Sequence, residues 1–240
     1  MDGALSRLEG ALYRLLHHRS VREAYRSGQW DGLALPSAER AALAELDIQQ
    51  VEQLATQIRA DLLRRQHRGS GSLLTLYPAT IKAWLLAHPD DPELTEMASR
   101  FMESEPYELY QEVAPPLNAL SLEEAFFRFC ETKPIGEPTV REDEFLTAIA
   151  RALAVNARPS FAVPPGFRSV RAGWVAVGTG LPPKLYAAVH GRLLIGAITP
   201  FLAELIQAEA PSEEVACRHG ADTMALKAAL AELSALGLYD

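Results

Sequence analysis

Apolar residues recur at three- and four-residue steps through the first two-thirds of the chain. Leu5, Leu8, Leu12, Leu15 and Leu16 form one stripe and predict a helix over 4–18. Ser27-Gly28 and Asp31-Gly32 interrupt it with turn chemistry. Pro36-Ser37 predicts the start of a second helix through Leu43 and Leu46. Asp47 predicts the cap of a third, with Val51, Leu54, Ile58, Leu62 and Leu63 on one face. Gly69-Ser70-Gly71-Ser72 predicts its end and a flexible linker. Tyr77-Pro78 opens the next helix, carrying Ile81, Trp84 and Leu85, since proline is tolerated in the first helical turn. In His88-Pro89-Asp90-Asp91-Pro92 the expected N-cap is Asp91 and the expected first helical residue is Pro92. That helix runs through Leu94, Met97, Ala98 and Phe101. Ser121-Leu122-Glu123-Glu124 and Thr139-Val140-Arg141-Glu142 read as capping boxes opening two more.

The pattern changes near residue 158. Arg158-Pro159 and Pro164-Pro165-Gly166 read as a linker. After it come short β-compatible runs: Phe167 to Arg171, Trp174 to Val177, Leu185 to Val189, and Arg192 to Ile198. Thr199-Pro200, Pro211-Ser212 and Asp222 then open three helices. Leu226, Leu230 and Leu233 lie on one stripe of the last, and Gly237 reads as its C′ residue. The expected fold is α+β and mainly α. A helical domain over 1–157 precedes a winged-helix-like module over 158–240, with a small antiparallel sheet of three or four strands and three helices.

Composition narrows the class. With 48% hydrophobic and 22% charged residues the 240-residue chain is globular, not disordered. No run approaches the roughly 20 apolar residues that span a bilayer, and Met1-Asp2-Gly3 does not open a secretory signal. Cys130 and Cys217 lack any metal-ligand spacing and read as reduced thiols in a cytoplasmic protein. A net charge of −8 argues against a general nucleic-acid coat.

Catalytic signatures are absent at the level of local motif. Gly69-Ser70-Gly71-Ser72 lacks the Gly-Lys-Ser/Thr of a phosphate loop. Gly178-Thr179-Gly180 precedes Leu181-Pro182-Pro183, where a dinucleotide loop must open a helix. His17-His18 are adjacent and face different sides of a helix. His67, His88, His190 and His219 fall in four separate segments with no ligand at workable spacing. The expectation is no cofactor and no metal in this chain.

Two larger features remain. Arg59, Arg64, Arg65 and Arg68 face one acid, Asp61, within 59–68, whereas 90–150 holds fifteen acids against four cations. Arg64, Arg65 and Arg68 read either as a solvated helix terminus or as a grip on a carboxylate of a partner or substrate, which guanidinium donates to bidentately. The C-terminal module is nearly neutral, with six Lys/Arg and seven acids over 160–240. Its last helix offers one lysine and many alanines, unlike a helix that reads DNA.

Several segments resemble known pathway proteins. Residues 174–240, with Thr199-Pro200-Phe201-Leu202-Ala203-Glu204-Leu205-Ile206, Pro211-Ser212-Glu213-Glu214-Val215-Ala216 and the close from Leu230 to Leu238, resemble the peptide-binding RiPP recognition element typified by the PqqD family. They add a hairpin-like stretch from Lys184 to Leu194. Leu76-Tyr77-Pro78-Ala79-Thr80-Ile81-Lys82-Ala83-Trp84, His88-Pro89-Asp90-Asp91-Pro92-Glu93-Leu94, Phe101-Met102-Glu103-Ser104 and Leu122-Glu123-Glu124-Ala125-Phe126 resemble partner subunits of multinuclear non-haem iron oxidases. Those enzymes modify cysteine in precursor peptides, as in the methanobactin and 3-thiaglutamate pathways. Leu33 to Leu54 also resembles the small helical subunit of extradiol dioxygenases.

The resemblance implies a chain that is not catalytic alone. The iron belongs to a partner oxidase, and this chain holds the precursor's leader peptide in a hetero-oligomer. Strand addition to an exposed sheet edge supplies the physics. The expected peptide pockets involve Leu226, Leu230 and Leu233 beside whichever of Leu193, Leu194 and Ile195 faces them. Two other readings stand beside it: a winged-helix transcription regulator with a helical sensor domain, and an enzyme whose metal site gathers scattered histidines and acids.

Overall fold

The computed structural model describes residues 2–17, 19–29, 37–66, 70–110, 120–156, 159, 161–208 and 213–239. Expectations placed on Asp31-Gly32, Pro36, Arg68, Gly69, Arg158 and Pro211-Ser212 lie outside them. The protein is mainly helical with one small antiparallel sheet.

The first four helices are α1 (Asp2–His17), α2 (Arg19–Arg26), α3 (Ser37–Ala44) and α4 (Ile48–Leu62). Asp47 caps α4 as its spacing predicts, accepting from the Gln49 amide at 2.9 Å. Sequence periodicity misses α2, because Arg-Ser-Val-Arg-Glu-Ala-Tyr-Arg offers too few apolar positions to mark a stripe. Its Tyr25 is buried with Ala11, Leu15, Leu43 and Val51 in a small core of its own.

A larger core begins at α5 (Leu73–Leu76) and α6 (Pro78–Ala87), and continues through α7 (Thr95–Met102) and α8 (Glu105–Leu109). Then come α9 (Leu122–Thr132) and α10 (Pro138–Val155). Tyr77, Trp84, Phe101, Phe126 and Phe129 fill it. Phe101 meets both Tyr107 and Phe126 edge-on, with ring centroids 5.1 Å apart in each pair.

Three local expectations are corrected here. The described part of the Gly69-to-Ser72 stretch, Ser70-Gly71-Ser72, is not a flexible linker. Ser70 is buried and donates to Glu123 Oε1 at 2.8 Å. Ser72 is buried and caps α5, with Thr75 closing the box. The serines that resemble linker chemistry are satisfied polar groups in the packed interior.

Pro92 does not open α7, which starts at Thr95 after Leu94 in the left-handed region (φ 60°). Asp91 acts from farther back. Its carboxylate accepts from the Trp84 indole at 3.0 Å and from the Glu96 and Met97 amides at 3.1 Å each. It therefore ties the end of α6 to the start of α7. Thr139 does not cap α10 either. Glu137 does, accepting from the Val140 amide, with Pro138 in the first turn where its missing N–H costs nothing.

Asp91 supplies a pH prediction. Burial acts to raise its pKa, but the bonds from Glu96, Trp84 and Met97 win and hold it below its ordinary 3.8. A depressed folded pKa means the stabilisation is complete above 3.8 and is lost as pH falls through the folded value. Asp91→Asn is expected to cost about 1–3 kcal/mol near neutral pH. Thermal melts at falling pH should show that gap closing below the ordinary carboxylate range.

Phe161, Pro164 and Phe167 are buried, so the segment that holds the expected linker is anchored to the core on both sides of the exposed Pro165-Gly166. The sheet follows as a meander: β1 (Arg168–Val170), β2 (Gly173–Gly178), β3 (Lys184–Val189) and β4 (Arg192–Ala197), in the order β1-β2-β3-β4. Last come α11 (Pro200–Gln207), α12 (Glu213–Arg218) and α13 (Thr223–Ala235). Thr199 and Asp222 cap α11 and α13 as predicted. Gly237 (φ 75°) ends the chain of α13, with Leu238 N–H donating to Leu233 at 2.9 Å.

The sheet is covered on both faces. Ala176, Tyr186 and Ala188 join the large helical core beneath α10. Val175, Leu185, Ala187 and Val189 join a second core with Leu205, Val215, Leu226 and Leu233 of the last three helices. Burial on both sides explains why β3 reads as an unbroken apolar run rather than an alternating one. The division expected at 157/158 thus falls between two elements that pack together, α10 and the sheet.

Candidate functional site

The sheet ends at β4, which pairs with β3 alone. His190-Gly191 forms the two-residue turn before it, with φ of 51° and 69°, the pair of positive values that a tight hairpin of this kind requires. The flanking residues Val189 and Arg192 are opposite each other. At the other end Ile198 N–H donates to Pro183 at 2.9 Å, and these residues continue the same register. Antiparallel pairs alternate between bonded and non-bonded. Arg192, Leu194 and Gly196 therefore point their backbone groups at β3. Leu193, Ile195 and Ala197 point theirs outward, to an edge with no partner strand among the described residues.

Side chains alternate as well. Leu193 and Ile195 stand opposite Ala188 and Tyr186, on the α10 side of the sheet. Leu193 is exposed, and Ile195 is half-buried against the large core. Leu194 stands opposite Ala187, on the side of the last three helices, and packs with Leu230 against the second core. Leu226 and Leu233 are buried in that core. The six leucine and isoleucine positions singled out in the sequence therefore do not line one surface. Leu194 shares a side with Leu226, Leu230 and Leu233, and Leu193 and Ile195 lie on the opposite face.

Beyond Arg192 at its first position, β4 carries none of the usual protection of an edge. It holds neither proline nor lysine, its apolar residues run from Leu193 to Ile195, and a Cβ at Gly196 would meet open space. A rigid support stands behind it. Asp143 of α10 accepts from Lys184 Nζ at 2.5 Å and from the Tyr186 hydroxyl. Glu142 accepts from Thr179 at 2.6 Å. Burial raises the Asp143 pKa, but the bonds from Lys184 and Tyr186 outweigh it and hold the carboxyl below its ordinary value. Burial, then Asp143 itself, pushes the Tyr186 phenol up.

The chain matches no protein-family model, no curated protein and no solved structure.

The arginine cluster is partly engaged within the chain. Arg64 donates to Glu93 Oε2 at 2.9 Å and to the Ala60 carbonyl at 3.1 Å. Arg64 and Arg65 are exposed at the end of α4, and Arg68 lies outside the described residues. A cleft of about 310 Å³ between α2, α4 and α7 gathers Arg22, Arg26 and Arg59 with Glu23 and Glu52. There Arg26 pairs with Glu52, and Arg22 donates to the Leu15 and Leu16 carbonyls at the end of α1. These contacts hold helices together.

Cys130 is fully buried, and burial pushes its thiol far above the ordinary range, which removes its nucleophilicity. Among the described residues no three His, Cys, Asp or Glu side chains gather where a metal ion would fit. No described helix is long and apolar enough to cross a membrane. His17 stacks on Tyr13, His88 stacks on Trp84, and His219 bonds Glu204.

Sequence reading weighs His190 only as a scattered metal ligand and gives Arg192 no role; the fold places both, exposed, at the turn end of the open edge, which the last turn of α10 also reaches. The only signal along the chain was the Gly191 turn.

Proposed function

We propose that this chain is a non-catalytic subunit that holds the leader of a ribosomally made precursor peptide. It presents that peptide to an iron-dependent oxidase acting on the peptide's cysteine, in the cytoplasm. The observation that carries the reading is the open β4 edge, with the backbone groups of Leu193, Ile195 and Ala197 directed outward. A peptide strand laid there gains a ladder of main-chain bonds, and its side chains alternate between the α10 face and the face of α11–α13. A small antiparallel sheet followed by three helices fits a winged-helix-like recognition module. The near-neutral charge of 160–240 favours a peptide over nucleic acid. The pairing with an oxidase rests on the resemblances of the helical segments.

Leu193→Pro is the test. Leu193 is exposed and its N–H points away from β3, so proline removes an edge donor while the β3–β4 ladder survives. Dodecapeptides selected on the whole chain from a random mRNA-displayed library are the probe. The substitution is expected to weaken them at least tenfold, about 1.4 kcal/mol, with circular dichroism unchanged. Unaltered affinity removes the strand-addition reading. For the oxidase half, the product of a neighbouring iron-oxidase gene is co-expressed. Co-purification supports the pairing, and separate elution of the two chains overturns it.

A further inference from the structure

The open edge has unlike ends. At its turn end lie Arg192 and His190, both exposed. The last turn of α10 reaches the same place, because a Cβ at Gly191 would sit 3.8 Å from the Ala154 carbonyl oxygen. Arg151, one turn earlier on α10, is exposed there too. Its direction follows from the helix. Asp143 bonds β3 residues, and Leu146 lies against Gly178 of β2. At 100° per residue, Arg151 turns away from Leu146 past Asp143, onto the flank it shares with Glu144. The β1–β2 turn adds exposed Arg171, since His190 N–H donates to Ala172 at 3.0 Å. Arg151, Arg171, His190 and Arg192 make no ion pair among the described residues. Against them stands Glu232, the one acid of α13, whose C-terminal end approaches His190.

The other end holds an ion pair that is already closed. Ala197 pairs with Lys184, and the Lys184 ammonium is taken by Asp143. Glu142 turns the other way, to Thr179 beyond β2.

We propose that this polarity selects the bound strand: an extended segment, apolar at alternate positions, with one or more Asp or Glu at its C-terminal end. The inference rests on strand addition at β4. A strand antiparallel to β4 runs in the direction of β3, from the Ala197 end toward Arg192. Its last residues then lie beside the guanidinium of Arg192, with Arg151 on the turn of α10 that reaches the same hairpin, and its first residues lie beside the Lys184–Asp143 pair. A carboxylate placed the other way finds the one nearby cation, Lys184, already held by Asp143. Arg suits the contact because its planar fork donates two parallel bonds to a carboxylate.

The experiment uses the dodecapeptides recovered from the random library, measured by fluorescence anisotropy against the full chain. Recovered sequences are expected to concentrate Asp and Glu at the C-terminal side of the apolar stretch. The double variant Arg151→Glu with Arg192→Glu should bind them at least tenfold more weakly and with a smaller salt dependence. Replacing the peptide's acids by lysine should restore binding to that variant. Affinity unchanged within threefold in the double variant, or acids concentrated at the N-terminal side, overturns the proposal. Leu193→Pro separates the two layers. Peptides that lose binding to Leu193→Pro but ignore the charge reversal overturn the polarity alone. Peptides indifferent to Leu193→Pro overturn strand addition itself.

Discussion

Glu144→Ala is expected to cost the fold about 3–5 kcal/mol. Glu144 projects from α10 into the interior and is 7% exposed. It accepts from the Ala79 amide at 2.5 Å, the Thr80 amide at 3.2 Å and the Thr80 hydroxyl at 2.6 Å. These are the first donors of α6, which have no partner within their own helix. Alanine leaves the buried Thr80 amide and hydroxyl unsatisfied, at about 1–3 kcal/mol for each group left without a partner, while the exposed Ala79 turns its amide to water. Thr80→Val removes one donor and should cost about 1 kcal/mol, and Glu144→Gln, which keeps an acceptor, should fall between the two. Urea unfolding followed by circular dichroism measures all three. A cost below about 1 kcal/mol for Glu144→Ala would mean that water replaces the carboxylate. With total stabilities of about 5–15 kcal/mol typical of folded proteins, the expected loss is enough to unfold a marginal chain.

Gly173→Ala is expected to disrupt the sheet and abolish peptide binding together. Gly173 opens β2 at φ 153°, a conformation that L side chains rarely adopt. A Cβ there would lie 1.9 Å from the Ala188 carbonyl oxygen and 3.0 Å from its carbon. Both atoms belong to the backbone of β3, so no side-chain rotation relieves the contact. The strands must separate, at a cost above about 3 kcal/mol. Gly196→Ala is the matching control: its Cβ meets nothing within 4 Å, and stability should stay within about 0.5 kcal/mol. Melting temperature and the anisotropy of a bound library peptide read the pair. Equal behaviour of the two variants would contradict the close approach of β2 to β3.

Local chemistry was legible along the chain wherever one residue acts on its immediate neighbours. Asp47, Ser121, Thr199 and Asp222 cap the helices they precede, because a cap needs only its own side chain and amides two or three residues on. The strands were legible from apolar runs bounded by glycine and proline. Four of them sit within a residue or two of their expected places. Where a side chain works at long range, the pattern misled. Ser70 and Ser72 read as linker residues until Glu123 and α5 are brought against them. Asp91 reads as an adjacent cap until its bond to Trp84 shows that it joins two helices.

Periodicity alone determined that this chain is helical first, with a small sheet and three helices after residue 158, and that Leu226, Leu230 and Leu233 share one stripe; that Leu226 and Leu233 are core rather than pocket was decided by the packing. Which face each β4 residue takes was decided only by tertiary structure. A strand's alternation has two solutions of equal local merit, and the pairing of Val189 with Arg192 across the His190-Gly191 turn chooses one. That choice directs the backbone of Leu193, Ile195 and Ala197 outward and separates Leu194 from its two neighbours. The same holds for the cations of the open edge. Arg151 and Arg192 lie far apart in sequence, and the fold brings their elements together because the last turn of α10 reaches the hairpin turn at Gly191. Contacts of that kind depend on how whole elements pack, a free energy spread over many side chains and not written in any one segment.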